Sequence, residues 1–556
     1  MRSLPDPAGR AGLPAPTRAD LVAGLSIGGL ILPEAVAYAA IAGLPPQHGL
    51  IAAIAGCFVY PLLGRSRFAV VSPTSSSALV LAAALATLPG SPETRAATGA
   101  FVTLCAGLML MALAAGRLGG LSGFISRPVL RGFGFGLAVT IIAGQLPKIG
   151  HVPVPPANPF VQLRDVVQAA GAWHGPSVAL GLGALLALLL LRRKPALPGA
   201  ILVLAGGIGL SMALDLPGHG VATVGPFALG LAPPALFLPT ATEVRPLLAG
   251  ALPLVLILFA ESWGSIRTLG LRHGEQPSAN RELAALGLAN LASGLWRGLP
   301  VAAGFSASNA AEMAGAATRA AALFAGATLL ALVLVATPAI EALPLPVLAA
   351  VVIAALTHAL DPRPFRQLWR MDRDQLVALA AAAAVLALGV LDGMLVAVLL
   401  SIAALLGRLA RPHVARLGRV SDSHAYVDMA RHPEARAPDG VTILRPLQPL
   451  FFANAEAVTA QLAGSLPDRA GGTRLVISLE ESPDLDSTAA EALFELDSLL
   501  RRRGVDVRYA RVHDRARDVL AAAGLEAIDS RIHFSVDDAV SAILSPARSE
   551  EDETSR

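Results

Sequence analysis

Read only for its hydrophobic and polar positions, the chain falls into two parts. From about residue 20 to residue 409, long apolar runs follow one another with few charges between them; from Arg411 onward charges are frequent and apolar residues come in short groups. The first part predicts helical segments near 20–40, 48–63, 75–89, 97–115, 129–147, 177–191, 197–214, 248–269, 282–297, 306–316, 319–338, 344–360, 374–391 and 392–409. Since a full crossing takes about 20 residues, these roughly fourteen segments predict a polytopic α-helical membrane domain, several of whose helices are shortened or broken by Gly and Pro. From Val441 the pattern becomes VTILRPL, FFANAEAVTAQLAGSL, TRLVISLEE, STAAEALFELDSLLRRRG, VDVRYARV and RARDVLAAAGL. Short apolar strands separated by amphipathic helices predict a small α/β domain.

Composition agrees. Of 556 residues, 54% are hydrophobic and 15% charged, which excludes an ordinary soluble chain. The expected divisions are a cytoplasmic amino-terminal segment 1–19, a transmembrane domain 20–410, a linker 411–439, an α/β domain 440–545 and a disordered acidic tail 546–556. Residues 1–19 hold no continuous apolar run, so no cleavable signal peptide is expected. The formal charge of +3 gives no ground for a nucleic-acid partner. Cys57 and Cys105 lie in apolar runs and form neither a disulfide framework nor a metal cluster. With the amino terminus inside, Arg65, Arg67, Arg117, Arg192, Arg193, Lys194, Arg267, Arg370, Arg373 and the run Gly407–Arg419 all fall on the cytoplasmic side. Both termini are therefore expected in the cytoplasm of a cell whose inner membrane holds the protein.

Two landmarks recur in the same order. LILPE (Leu30–Glu34) and LILFAE (Leu256–Glu261) each end on an intramembrane glutamate, and each is followed at similar separation by a Ser-rich stretch, TSSSA (Thr74–Ala78) and FSASNA (Phe305–Ala310). Two related halves of seven segments each would sit in the membrane with opposite orientation. Such inverted repeats bind substrate near the midplane, where interrupted helices of the two halves meet.

The polar stretches have a physical use at that depth. A helix that begins in mid-membrane exposes unpaired N–H groups and its positive dipole end. Pro73 suits a first turn, and Ser72, Thr74 and Ser75 can cap it while offering hydroxyls to a ligand. Amino termini facing each other at Thr74 and Ser306 would attract a small anion with no fixed cation. The other reading of these small residues is close helix packing. An intramembrane carboxylate is functional by default; Glu34, after Pro33, is a candidate for proton exchange, and Glu261 with Ser265 one turn on is a candidate oxygen site for a proton or sodium ion. The alternative for each glutamate is an Arg partner or a helix cap.

The runs LPEAVAYAAIAGLPPQHGL (Leu32–Leu50), SRFAVVSP (Ser66–Pro73) and ANRELAALGLANLASGLWRGLPVAAGFSASNAAEMAG (Ala279–Gly315) resemble the sulfate permease (SulP) family, relatives of the anion transporters that include pendrin and prestin. The resemblance implies a seven-plus-seven inverted repeat divided into core and gate subdomains, with half-helices at the third and tenth positions, and a homodimer. It implies anion contacts at Ser72, Pro73, Thr74, Ser75, Ser76, Phe305, Ser306, Ala307 and Ser308, and coupling-ion contacts at Glu34, Glu261 and Ser265. Many members have Ser-Arg at the start of the tenth helix, where this chain has Ser306-Ala307; the missing cation makes a divalent anion less favoured unless a co-transported cation compensates.

LFFANAEAV (Leu450–Val458) and PDLDSTAAEAL (Pro483–Leu493) resemble the STAS domain of that family. Ser487 and Thr488 are then candidate phosphorylation sites, the other reading being a strand-to-helix turn capped by Asp486 or Ser487. The tail carries no catalytic motif and is expected to regulate, assemble or bind a cytoplasmic partner. The expected activity is secondary active transport of bicarbonate, sulfate or a dicarboxylate, driven by H+ or Na+ with no other cofactor, through elevator-like movement. Alternatives are a nucleobase permease of the same fold, a membrane sensor that binds but does not carry an anion, and a channel.

Overall fold

The structure, a computed structural model, describes residues 15–86, 92–120, 126–155, 157–193, 199–227, 241–372, 374–421, 423–466, 472–523 and 530–544. Residues 1–14, the tail 546–556, Lys194 and Arg373 lie outside them. The chain divides into two compact units, Met1–Ile402 and Ala403–Arg556, the boundary falling within the helix Val390–Ala410.

The first unit runs α1 (Arg18–Ile41), α2 (Pro46–Leu63), β1 (Val71–Pro73), α3 (Ser75–Ala86), α4 (Pro92–Ala115), α5 (Arg127–Gly150), α6 (Pro159–Gln168), α7 (Gly175–Leu191) and α8 (Gly199–Ala213). It continues with α9 (Ala241–Arg272), α10 (Ala279–Leu295), β2 (Val301–Ala303), α11 (Phe305–Met313), α12 (Ala320–Glu341), α13 (Leu345–Leu356), α14 (Arg363–Met371), α15 (Gln375–Leu388) and α16 (Val390–Ala410). Each apolar run of the sequence holds one helix. Helices α6 and α14 were not anticipated, because PFVQLRDVVQ and RPFRQLWRM are short and carry charges on one face. Seven of the described helices are long and apolar enough to cross a membrane; α3, α7, α8, α13 and α15 are shorter apolar helices.

The inverted repeat is visible in the packing. Setting α6 and α14 aside, α1–α8 correspond in order to α9–α16, and the principal contacts survive the exchange. Helix α4 packs on α10 as α12 packs on α2; α1 lies on α12 as α9 lies on α4; α5 lies on α15 as α13 lies on α7. These pairs sort into a core group, α1–α4 with α9–α12, and a gate group built on α5, α7, α8, α13 and α15. The closest approaches require glycine. A Cβ at Gly132 in α5 would stand 1.9 Å from the Ala378 carbonyl oxygen of α15, and one at Gly56 in α2 would stand 2.4 Å from the Val71 carbonyl oxygen. At the start of α1, Thr17 and Asp20 form a capping box. The Asp20 carboxylate also accepts from the backbone N–H groups of Ala317 at 2.9 Å and Thr318 at 2.7 Å, tying α1 to the turn before α12.

The second unit is a six-stranded sheet in the order β4-β3-β5-β6-β7-β8. Its strands are β3 (Val414–Arg419), β4 (Tyr426–Asp428), β5 (Val441–Pro446), β6 (Arg474–Ser478), β7 (Asp506–Ala510) and β8 (Ile532–His533), and its helices α17 (Ala455–Gly464), α18 (Ser487–Arg502), α19 (Asp514–Ala522) and α20 (Val536–Leu544). Strands β5 to β8 are parallel, whereas β3 is antiparallel to β5 and β4 to β3. Helices cover both faces, which is why the three central residues of β6, Leu475, Val476 and Ile477, are apolar without alternation. The expected linker 411–439 therefore needs correction: it carries β3 and β4. In VARLGR, Ala415 and Leu417 point into the core while Arg416 and Arg419 face solvent, and the arginines hide the strand pattern.

Candidate functional site

Strands β1 and β2 pair antiparallel between the two halves of the membrane unit, Val71 opposite Ala303, Ser72 opposite Ala302 and Pro73 opposite Val301. Non-helical backbone at this depth must be satisfied by protein. Pro73 has no N–H to give its partner Val301, and Asn290 of α10 supplies the missing groups: its Nδ2 donates to the Val301 carbonyl and its Oδ1 accepts from the Val301 N–H, both at 2.9 Å. Ser262 of α9 accepts from the Ala303 N–H at 2.9 Å, and Ser265 donates to the Ala303 carbonyl at 2.5 Å. Replacing Asn290 by Ala orphans two buried backbone groups, at about 1–3 kcal/mol each. The expected result is a lower unfolding temperature of the detergent-solubilised chain, with Asn290→Asp restoring part of the loss; equal melting of Asn290→Ala and the parent would refute the clamp.

From this crossing the half-helices α3 and α11 depart. Thr74 caps α3 in an exchange with Ser77, Thr74 N–H to Ser77 Oγ at 3.1 Å and Ser77 N–H to Thr74 Oγ1 at 3.2 Å. Gly304 stands at the corresponding position before α11. Two residues past each cap, Ser76 and Ser306 are equivalent, and each meets a glutamate of the opposite half. Ser76 donates to Glu261 Oε2 at 2.6 Å, with Thr74 adding a bond at 3.0 Å. Ser306 donates to Glu34 Oε1 at 2.9 Å. Each half-helix amino terminus is thus faced by a carboxylate from the other repeat, a disposition its positive dipole end favours.

One of these two places opens into a cavity of about 380 Å³. Glu34, Tyr38 and Ser306 line it from the core group, and Leu188, Arg192 and Val351 from the gate group. Arg192 follows the last residue of α7 and donates through a guanidinium N–H to the Ala354 carbonyl in the last turn of α13.

The anticipated residues divide accordingly. Glu34 and Ser306 come together at the cavity. Thr74 and Ser76 come together at Glu261, while Ser75 is half-buried at the first position of α3. Ser72 and Pro73 belong to the strand crossing. Phe305 is exposed and lies over Gly264, Ala307 is buried, and Ser308 accepts from the Val70 N–H at 3.3 Å. Ser265 donates its hydroxyl proton to the Ser262 and Ala303 carbonyls. Arg192 entered the sequence reading only as a mark of orientation, and Asn290 and Ser262 did not enter it; a lone Asn in the apolar run of α10 was the signal for the former clamp. In the second unit Asp486 caps α18, accepting from the Ala489 N–H at 2.8 Å, with Ser487 exposed and Thr488 half-buried in the first turn.

Comparison with known proteins agrees with this architecture. Residues 17–382 match the model of the sulfate permease family and residues 432–539 that of the STAS domain. A probable sulfate transporter of Mycobacterium tuberculosis (strain CDC 1551 / Oshkosh) is 34% identical over 512 residues, covering 91% of this chain and 91% of the relative. The structure of the murine Slc26a9 anion transporter in the inward-facing state superimposes with a TM-score of 0.88 at 21% identity, covering 95% of this chain and 91% of that one. The transmembrane domain of the cyanobacterial bicarbonate transporter BicA gives 0.60 at 22% identity, covering 69% of this chain and 97% of that one. A multi-pass membrane unit built on two half-helices, joined to an α/β unit and matched over both parts, places the chain in the sulfate permease family as an anion transporter with a carboxyl-terminal STAS domain.

Proposed function

We propose that the protein is a proton-coupled uptake system for a small oxyanion, sulfate before bicarbonate or a dicarboxylate, working by movement of the core group against the gate group. The observation that carries this reading is the hydrogen bond from Ser306 to Glu34 at the wall of the cavity. While Glu34 is ionised, its carboxylate accepts the hydrogen bond of the Ser306 hydroxyl and opposes an incoming anion by charge. Protonation removes both obstacles at once: the cavity loses a negative charge and the hydroxyl turns to the anion. Proton and anion then favour one another's binding, and by linkage each raises the other's affinity equally.

Sulfate leads because the Mycobacterium tuberculosis relative is described as a probable sulfate transporter. A proton is preferred to sodium because the coupling step above needs only the Glu34 carboxylate and its hydroxyl partner Ser306. The inner membrane, cytoplasmic termini, a homodimer and a regulatory or assembly role for the STAS domain, with phosphorylation at Ser487 or Thr488, belong to the same proposal. Family membership favours it over the nucleobase-carrier alternative.

The test is uptake of labelled sulfate, bicarbonate and fumarate by the full chain in liposomes under a proton or a sodium gradient imposed separately. Sulfate accumulation under the inward proton gradient alone is expected. Accumulation under sodium alone would reassign the coupling ion, and the absence of any gradient-driven uptake would refute coupled transport.

A further inference from the structure

The family resemblance drew attention to a missing cation beside Ser306, where Ala307 is buried and apolar. The cavity nevertheless contains one. Among its lining residues the charged groups are Glu34 and Arg192, and they belong to different packing groups. Glu34 and Ser306 ride on α1 and α11 of the core. Arg192 ends α7, and its bond to the Ala354 carbonyl fastens it to α13; both helices are of the gate. That bond uses one of five guanidinium donors, and the planar fork suits a second, bidentate engagement with an oxyanion.

Positive charges along the sequence place Arg192 at the cytoplasmic end of its helix, and Leu191, Gly199 and Leu356, which share the cavity wall with it, also end or begin helices there. The cavity so described faces the cytoplasm. If the anion's seat at Ser306 moves with the core, a cation fixed to the gate cannot follow it.

We propose that Arg192 is a one-sided anion ligand: it completes the anion site while the cavity faces the cytoplasm and is left behind when the core moves outward. This rests on the transport reading above. Its consequence is a cytoplasmic affinity for the anion that depends on Arg192 and an external affinity that does not.

The experiment measures half-saturation for sulfate separately from each face in vesicles of known orientation, using the full chain, Arg192→Gln, Arg192→Lys and, as a neighbouring control, Arg193→Gln. Loss of a charge-assisted contact is expected to raise the cytoplasmic half-saturation on the order of tenfold to a hundredfold in Arg192→Gln, with the external value and Arg193→Gln unchanged and Arg192→Lys, which keeps the charge but loses the planar fork, between the parent and the Gln variant. An equal change on both faces, or no change on the cytoplasmic face, would overturn the assignment. Binding gives an independent arm: stabilisation of the solubilised chain by sulfate should shrink in Arg192→Gln, and undiminished stabilisation would count against the inference even if the parent protein transported nothing, an outcome that would fall on the functional reading instead.

Discussion

Glu34→Gln is expected to reduce gradient-driven anion accumulation to simple equilibration while leaving anion binding and anion-for-anion exchange measurable. Glutamine has the size and shape of a protonated glutamate and carries no charge, so on the proposed mechanism the Ser306 hydroxyl is free to turn to the anion while the cavity wall keeps its form. What it lacks is a proton that can leave. The variant is fixed in the neutral state, which on the proposed mechanism is the anion-binding state. The carrier can bring anion across in either direction but cannot return with the carboxylate discharged, and the proton gradient loses its hold on the cycle. Exchange of internal for external labelled sulfate separates this from a collapsed protein. Accumulation by Glu34→Gln at the parent level would remove Glu34 from coupling, and loss of exchange together with accumulation would make its role structural.

The second large effect lies in the soluble unit. Asp497 of α18 is 3% exposed and receives two parallel bonds from Arg531, at 2.8 and 3.0 Å, and one from the Tyr509 hydroxyl at 3.0 Å. The hydrogen bond it donates to Asp497 holds the Arg531 guanidinium above its ordinary range, while burial, with the neighbouring carboxylate second, pushes the Tyr509 phenol well above its own. Asp497→Ala removes the buried acceptor of three hydrogen bonds, two from Arg531 and one from Tyr509. Breaking a buried pair from one side costs about 3–5 kcal/mol, a large share of the roughly 5–15 kcal/mol that holds a domain together. Rapid tryptic cleavage within residues 403–556 of the full chain is the expected result, with Asp497→Asn intermediate because it keeps one acceptor. Unchanged protease resistance of Asp497→Ala would show that the triad contributes little.

Local chemistry was legible in the sequence, and contacts between distant segments were not. Pro73 followed by hydroxyl residues announced a broken helix, and the paired LIL-and-Glu landmarks announced the repeat; both are features of a few adjacent residues. That Glu34 would meet Ser306 of the other half, and Glu261 meet Ser76, depends on how the halves interlock. Helical spacing puts Ser265 on the Glu261 side of α9, but its bond to the Ala303 carbonyl on β2 spans 38 residues and was not legible in that spacing. Arg192 looked like a membrane-boundary charge because nothing near it in the chain marks a cavity. Strand β3 was missed because its exposed arginines outweigh the two apolar residues it buries.

The strand crossing bears on the order in which the membrane unit is made. The N–H of Val70 finds its acceptor in Ser308, 238 residues further along, and β1 finds its ladder partner in β2. A nascent first half therefore holds polar backbone that hydrocarbon will not accept. Until the later half is synthesised and inserted, the stretch around Val71–Pro73 has to stay hydrated or borrow a partner. Chains halted before residue 301 would accordingly be the ones exposed to membrane proteases, and completion of β2 would be the moment at which the first half becomes resistant.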